Sequence, residues 1–377
     1  MYLNGVFHLR KVLQQKHVPD YWLLFLTLAL LAIGLVMIYS ASYVWAEYTF
    51  DDSFYYVKRQ LLFISLGLML MGIIIYIPFY RWQKLSVIFL ISCFVLLIIV
   101  LMPGVGMIRG GARSWIGVGA FSIQPAEFMK LGIIIYLATV LANKQLRITS
   151  FFKGFLPLTM LVLLIFSLIM LQPDFGTGLV IVLTCMLILF IAGAKWSHMF
   201  SLLVIGLIGF SLLIITAPYR LKRITAFLNP WEDPLGDGFQ IIQSLYAIGP
   251  GGLIGVGLGN SLQKYFYLPE PQTDFIFSII AEEVGLIGAI VVLGLFMLVC
   301  WRGIRIALYA QDRFATYLAF GITGMIMIQV AINISVVIGL IPVTGITLPF
   351  ISYGGSSLLL TICAIGLLLN ISKYTTY

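Results

Sequence analysis

The sequence contains few charged residues for its length. Of its 377 residues only 10% are charged, while 61% are hydrophobic. About a quarter of the residues of a soluble domain are charged, and a water-soluble fold of this size would expose apolar surface that it could not cover. The shortage of charge therefore excludes a soluble protein and predicts one whose solvent is lipid.

Cysteine and histidine are also sparse. The four cysteines, Cys93, Cys185, Cys300 and Cys363, all fall in apolar stretches, where we expect small buried hydrophobic residues and not a disulfide framework. The three histidines form no ligand cluster. A metal site built on histidine is therefore not predicted.

Two catalytic signatures are incomplete. The glycine-rich stretch 249–260 has no Gly-Lys-Ser/Thr ending, which a phosphate-binding nucleotide loop requires. Residues 150–153 match the Ser-x-x-Lys string of penicillin-binding enzymes, but neither Ser-Asp-Asn nor Lys-Thr-Gly follows. Neither stretch predicts a site, and no nucleic-acid partner is expected.

Long apolar runs fill most of the chain. A membrane-spanning helix needs roughly 20 mostly apolar residues, and none of the runs alternates with period two as barrel strands do. The runs lie near 21–40, 61–78, 85–102, 126–143, 154–171, 177–194, 198–216, 275–300, 315–340 and 356–372. They predict an all-α polytopic membrane protein with about ten transmembrane helices, forming a single integral domain over 1–377.

The distribution of Lys and Arg predicts the orientation. With residues 1–20 as a cytoplasmic tail, 13 of the 22 basic residues fall inside, as the positive-inside rule favours. Only Asp20 and Asp312 of the 14 acidic residues fall there. Both termini are therefore expected in the cytoplasm, with the chain in the cytoplasmic membrane.

Two unusual segments, 103–130 and 217–274, then lie on the outer side. The second is by far the longest connection, and long loops in compact folds are usually functional or disordered. It contains aromatic residues interleaved with charges. We expect a structured extracellular loop between helices 7 and 8, with short amphipathic helices near 239–248 and 258–264 on the membrane surface.

Four ionisable residues fall within predicted spans, where charges usually face a cavity or a partner. Glu127 and Lys130 are three residues apart and can pair on one helical face. This pair either fixes helix packing or shapes a polar cavity, and the two roles are compatible. Glu282 and Glu283 point about 100° apart on a helix, and packing or proton relay is favoured for them over catalysis.

Asp274 stands at the outer mouth of the eighth span, where a long polar loop meets apolar helix. An aspartate at the start of a helix is commonly a cap or a partner of the helix dipole. A carboxylate that stays ionised beside a partly desolvated pocket can also act as a general base. Position alone leaves both roles open.

Several cations lie on the side that the orientation rule disfavours. They are Arg109, Arg113, Arg220, Lys222, Arg223 and Lys264. Interfacial arginines commonly bind lipid phosphates. Their unusual placement also indicates an anionic ligand such as a lipid-linked pyrophosphate.

Seven motifs in order resemble those of the SEDS family, whose name stands for shape, elongation, division and sporulation. They are GARSWIG (111–117), SIQPAEFMK (122–130), QPDFGTG (172–178), NPWEDPLGDGFQIIQSL (229–245), LPEPQTDFIF (268–277), AEEVG (281–285) and LPFISYGGSSL (348–358). The resemblance runs from about residue 21 to the end. The LGNSLQK string (258–264) is closer to the division branch than to the elongation branch, and the short tails are most similar to the sporulation branch.

The resemblance implies a peptidoglycan glycosyltransferase that polymerises lipid II at the outer face of the cytoplasmic membrane. The family's essential aspartate falls on Asp274, and its polar pair in the fourth span falls on Glu127 and Lys130. The pyrophosphate of lipid II would then meet positive charge, with or without a divalent ion. The candidates are Arg109, Arg113, Arg220, Arg223 and Lys264.

The same resemblance implies partners and leaves alternatives. Lipid II, the growing glycan strand, membrane lipids and a single-span class B penicillin-binding protein are expected to bind. Spore cortex synthesis is favoured over synthesis at the division septum. A lipid II flippase and a scaffold for the penicillin-binding protein are the other readings, although a pure scaffold would not need Asp274.

Overall fold

The computed structural model describes residues 18–109, 112–118, 121–144, 148–215, 225–236 and 238–375. The α-helices of ten residues or more are α1 (Tyr21–Phe50), α2 (Tyr55–Tyr76), α3 (Phe79–Ile99), α4 (Pro125–Lys144), α5 (Leu156–Met170), α6 (Phe175–Ile191), α7 (Trp196–Ile215), α8 (Phe239–Gly251), α9 (Ile276–Leu308), α10 (Arg313–Val337) and α11 (Gly355–Ser372). A π-helical turn (Phe151–Phe155) leads into α5, and a 3-10 turn (Pro230–Glu232) precedes α8.

Each of the ten predicted apolar runs coincides with one of these helices. Among the described residues, eight helical stretches are long and apolar enough to cross a membrane, and α6 and α7 are two further apolar helices. Helices suit a lipid environment because every backbone polar group must be hydrogen-bonded there without water. The chain is a multi-pass, all-α membrane protein, as its sequence predicts.

The helices differ in how deeply they lie in the bundle. In α11, 83% of the most apolar stretch is buried, against 22% in α3. The last helix is therefore an interior element, packed mainly against α2, while α10 packs against α9 and α4. Much of α3 faces away from the bundle, as expected of a helix on the lipid side.

A small antiparallel sheet occupies part of the segment 103–130, which had no predicted strands. Its order is β1 (Gly106–Arg109), β2 (Ala112–Val118) and β3 (Phe121–Ile123). Arg109 pairs with Ala112, so that two glycines of the sequence separate the paired positions. A Gly-Gly pair between short strands is a hairpin signal. The sequence therefore carried one signal for the pairing of β1 with β2, which the prediction did not use.

The long connection before α9 contains one of the two predicted surface helices. Helix α8 confirms the prediction near 239–248, although it continues to Gly251. The predicted helix near 258–264 is wrong, because that stretch forms turns. Gly252, Gly255, Gly257 and Gly259 all adopt positive φ, which interrupts helical structure, and the stretch is held by α9 as described below.

At the other end of the bundle, Asp20 joins three parts of the chain. It caps α1 through a 3.0 Å bond from Leu23 N, and its own backbone N donates to Ser372 Oγ. Arg302 of α9 forms an ion pair with the same carboxylate. Residues 1–17 of the predicted tail 1–20 lie outside the described residues.

Candidate active site

Asp274 lies two residues before α9 and is partly exposed. Its Oδ1 accepts a hydrogen bond from Thr273 Oγ1 at 2.9 Å. Its backbone carbonyl accepts a hydrogen bond from Asn333 Nδ2 of α10 at 2.7 Å. The side chain thus stands at the edge of the bundle while the backbone beneath it is anchored in the interior.

The irregular segment 338–354, which joins α10 to α11, frames the other side of Asp274. Tyr353 N donates to the carbonyl of Gln272 at 2.8 Å, and Gln60 Nε2 of α2 donates to Ser352 O at 3.1 Å. This chargeless segment therefore packs directly against the Gln-Thr-Asp string. Non-helical backbone is tolerated in a membrane where protein supplies its hydrogen bonds, as it does here for Ser352 and Tyr353.

A cavity of about 300 Å³ lies between α8 and the segments that frame Asp274. Its lining includes Phe239 and Gln240 of α8, Pro269 from the stretch before Asp274, and Val343. The cavity lies beside the stretch that leads to Asp274, a place where part of a larger substrate could bind.

Glu127 and Lys130 form the ion pair that their spacing predicts. The distance from Lys130 Nζ to Glu127 Oε2 is 2.8 Å, and both side chains are almost fully buried. The pair lies in the first two turns of α4, directly after the small sheet. A buried pair is costly to desolvate unless its geometry is good, so the position of each partner depends on the other.

Asp174 was missed as a site residue, although its motif was recognised. It caps α6 by accepting a 3.1 Å bond from Thr177 N, and its Oδ2 accepts from Gln124 Nε2 at 2.6 Å. Burial raises the pKa of this carboxyl, which also senses the charges of Glu127 and Lys130. An Asp directly before a helix is an N-cap signal that could have drawn attention to it.

Contacts connect this polar group to Asp274. Helix α6 begins so close to the 338–354 segment that a Cβ at Gly176 would lie 2.5 Å from Thr344 O. Two residues further on, Ile346 O accepts a 2.8 Å hydrogen bond from Asn333 Nδ2, which also binds Asp274. The structure thus joins the predicted pair in α4 to the predicted catalytic residue through one contiguous set of contacts.

Helix α9 is broken at Gly285, about two and a half turns after its start at Ile276. Gly285 has φ 72° and ψ −167°, which is not helical, and the break frees backbone groups on both sides. Residues 251–257 run antiparallel to the break and satisfy those groups. The bonds join Leu286 N to Gly252 O (2.9 Å), Ile287 N to Leu253 O (3.1 Å), Val256 N to Glu282 O (3.0 Å) and Gly257 N to Glu283 O (3.0 Å).

We call residues 251–264 the clasp, because side chains of α9 also hold its second half. Glu282 accepts from Ser261 Oγ at 2.5 Å and from Leu262 N at 2.7 Å. Glu283 accepts from Lys264 Nζ at 3.1 Å and from Ser40 Oγ of α1 at 2.5 Å. These contacts support packing, one of the two roles, packing or proton relay, that the sequence favoured for the glutamates.

The predicted cations differ in how deeply they are buried, and some of them lie outside the described residues. Lys264 is buried, and its ammonium contacts Glu283, the carbonyl of Gly259 and the face of Tyr43 at 4.9 Å. Arg113 lies in β2 and is partly exposed. The side chain of Arg109 and the residues Arg220, Lys222 and Arg223 lie outside what the structure describes.

Metal-ligating residues are dispersed in the part of the chain that the structure describes. There, no three His, Cys, Asp or Glu side chains come together as a cation site.

The fold and the site define a class of protein. It is a polytopic membrane protein with an aspartate at the edge of the helix bundle, whose backbone is held from two sides, and with buried polar groups nearby. A model of the cell cycle protein family of FtsW, RodA and SpoVE matches residues 21–377. The chain belongs to this family, which is the SEDS family that its motifs resemble.

Individual relatives match over nearly the whole chain. Stage V sporulation protein E of Bacillus subtilis is 60% identical over 363 residues, which cover 96% of this chain and 99% of the relative. The probable peptidoglycan glycosyltransferase FtsW of Geobacter metallireducens is 44% identical over 353 residues, covering 94% of each.

Solved structures share the fold. A chain of a peptidoglycan synthase complex, described for its coordination of polymerization and crosslinking, aligns with a TM-score of 0.77 and 34% identity over 94% of this chain and 97% of its own. The rod shape determining protein RodA of Thermus thermophilus aligns with a TM-score of 0.70 and 31% identity, covering 94% and 96%.

Proposed function

We propose that the chain polymerises lipid II into β-1,4 glycan strands at the outer face of the cytoplasmic membrane, with Asp274 as the general base. The chain is a glycosyltransferase of peptidoglycan synthesis by its family and by relatives of that name. The observation that carries the proposal is the place of Asp274: a partly exposed carboxylate on a backbone that two interior segments hold.

The chemistry follows from the substrate. The donor sugar of lipid II carries an α-linked pyrophosphate and the polymer bond is β, so one in-line displacement with inversion suffices. The 4-hydroxyl oxygen of the acceptor GlcNAc attacks C1 of the donor MurNAc, and the C1–O bond to pyrophosphate breaks. Asp274 accepts the hydroxyl proton as the new bond forms.

Pyrophosphate is a good leaving group, so no second carboxylic acid is needed, unlike in glycoside hydrolysis. Positive charge near its oxygens stabilises the transition state. We assign this role to Arg113 together with Arg109, Arg220 and Arg223. Lys264 is instead given to the clasp, because its ammonium is buried against Glu283.

The partner and the cellular setting are further parts of the proposal. A class B penicillin-binding protein is the expected partner, since a relative of the same fold belongs to a synthase complex that couples polymerization to crosslinking. The higher identity to the sporulation relative than to FtsW favours spore cortex synthesis. Expression confined to the mother cell supports that role, whereas vegetative expression at the septum contradicts it.

The break in α9 does not favour transport. Broken helices of transporters commonly line substrate sites, whereas here residues 251–257 of the same chain fill the break. Both termini are expected in the cytoplasm, which places Asp274 outside.

The experiment is polymerisation of purified lipid II by the full chain with its partner. Wild type should give long glycan strands that a muramidase digests, which shows the β-1,4 bond, and Asp274→Ala should give none at equal folding and partner binding. A folded wild type that makes no strands contradicts the transferase proposal. Normal polymerisation by the variant contradicts the role of Asp274 alone.

A further inference from the structure

Asn333 is a polar residue buried in the second half of α10. Only 1% of its surface is exposed. A buried amide without hydrogen bonds costs free energy in any apolar environment, and polar residues inside membrane helices commonly have a functional reason. The contacts of Asn333 indicate what that reason is.

One amide group of Asn333 holds two separate segments. Its Nδ2 donates to the carbonyl of Asp274 at 2.7 Å and to the carbonyl of Ile346 at 2.8 Å. Both hydrogens of the amide are thereby used. The segment before α9 and the segment before α11 are fastened to the same point of α10.

The carbonyl of Asp274 accepts its hydrogen bond from Asn333 at a place where a regular helix would use a backbone N–H. In a regular helix the amide N–H of Ser278 would bind it, but Ser278 N donates to Phe275 O at 3.0 Å instead. Asn333 Nδ2 donates to this carbonyl, and so a side chain from another helix holds the backbone of Asp274.

We propose that Asn333 is a positioning residue for Asp274, a role that rests on the proposed function. It contacts the backbone of Asp274 and not the carboxylate, and it holds that carboxylate where the acceptor hydroxyl arrives. Misplacement of a reacting group by about 1 Å can cost about 100-fold in rate. Loss of the Asn333 bonds should therefore lower kcat much more than it changes the KM for lipid II.

The chain offers a matched control in Asn370 of α11. This asparagine is also 1% exposed, and its Nδ2 donates to the carbonyls of Ile74, Ile75 and Ile77 at 3.2, 2.7 and 2.9 Å. It fastens backbone at the opposite end of the bundle from Asp274. Asn370→Ala therefore removes a comparable set of bonds without touching the site.

The test measures initial rates of lipid II polymerisation by the full chain with its partner. Asn333→Ala should lower kcat by about tenfold or more with KM within about threefold, and Asn370→Ala should keep kcat within about threefold of wild type per folded molecule. Asn333→Leu, which replaces the amide by an apolar group of similar size suited to a membrane helix, should match Asn333→Ala.

Amide hydrogen exchange provides a second readout, independent of activity. Asn333→Ala should speed exchange in peptides covering 272–277 and 345–353, and Asn370→Ala should speed it near 74–78, because each loses local anchoring.

The outcomes separate the two proposals. If wild type polymerises and Asp274→Ala does not, but Asn333→Ala and Asn333→Leu keep normal kcat, the positioning role is wrong and the transferase stands. Equal losses for Asn333→Ala and Asn370→Ala, or failure of both Asn333 variants to fold, would assign Asn333 to folding only. An inactive wild type overturns the proposed function itself.

Discussion

The Nζ atom of Lys264 lies 3.1 Å from Oε1 of Glu283, and neither side chain is exposed. The pair joins the clasp to the broken part of α9, about ten residues beyond Asp274. Ser40 of α1 donates to the other oxygen of Glu283. Three parts of the chain therefore depend on one buried ion pair.

Breaking this pair should destabilise the protein. Glu283→Gln leaves the Lys264 ammonium buried without its counter-charge, which costs about 3–5 kcal/mol in known cases. Thermal unfolding of the purified protein in detergent should show a clearly lowered midpoint. Adding Lys264→Met to Glu283→Gln removes the orphaned charge and should recover a large part of the loss.

An exposed ion pair provides the control. Lys58 Nζ lies 2.8 Å from Asp52 Oδ2, with Lys58 66% exposed, and this ammonium lowers the pKa of Asp52. Exposed pairs contribute little, so Asp52→Asn should barely move the midpoint. If it lowers the midpoint as much as Glu283→Gln, burial is not what makes the clasp pair important.

Close backbone approach in the clasp should make Gly255 intolerant of a side chain. A Cβ there would lie 2.2 Å from Glu283 O, at φ +78°. Gly259 has nearly the same φ, +82°, but a Cβ there meets nothing within 4 Å. Gly259→Ala should cost only the left-handed backbone, about 1–2 kcal/mol, and Gly255→Ala should lower the unfolding midpoint much further.

Equal effects of the two alanines would show that backbone conformation alone matters at both glycines. The clasp would then not be held as tightly against α9 as the four backbone bonds indicate.

The pair in α4 can be tested by reversing it. Glu127→Lys combined with Lys130→Glu keeps opposite charges at the same spacing and should restore much of the stability that either change alone removes. Asp174, capping α6 nearby, would then face a changed charge pattern. If Glu127 and Lys130 also shape a polar cavity for the substrate, the double variant should fold and still polymerise lipid II slowly. Full recovery of activity would show that the pair serves helix packing only.

The sequence predicts the helices well because lipid leaves the backbone few alternatives. All ten apolar runs are helices in the structure. The end of α1 was predicted too early, because the helix continues to Phe50 and not only to residue 40. The short strands β1 to β3 were missed, because strands of three to seven residues are too short to show a clear alternation. The turns at 258–264 were mistaken for a helix because the carboxylates that hold them come from distant α9.

The sequence predicted those site residues whose side-chain charge is unusual in or beside an apolar helix. Asp274 and the Glu127–Lys130 pair stand out as charges near apolar helix. Asn333 does not, because one asparagine in an apolar run gives no sign of which carbonyls it will meet. Its partners Asp274 and Ile346 lie 59 and 13 residues away, and only the fold brings them together.

The most direct test of the account is the rate of lipid II polymerisation by Asp274→Asn, measured beside Glu270→Gln. The first change keeps the shape of the side chain and removes its basicity, while Glu270 is an exposed carboxylate four residues away. General base catalysis contributes about 10²- to 10⁴-fold, so Asp274→Asn should lose at least about 100-fold, with Glu270→Gln near wild type. A folded Asp274→Asn variant that polymerises at the wild-type rate would contradict the account.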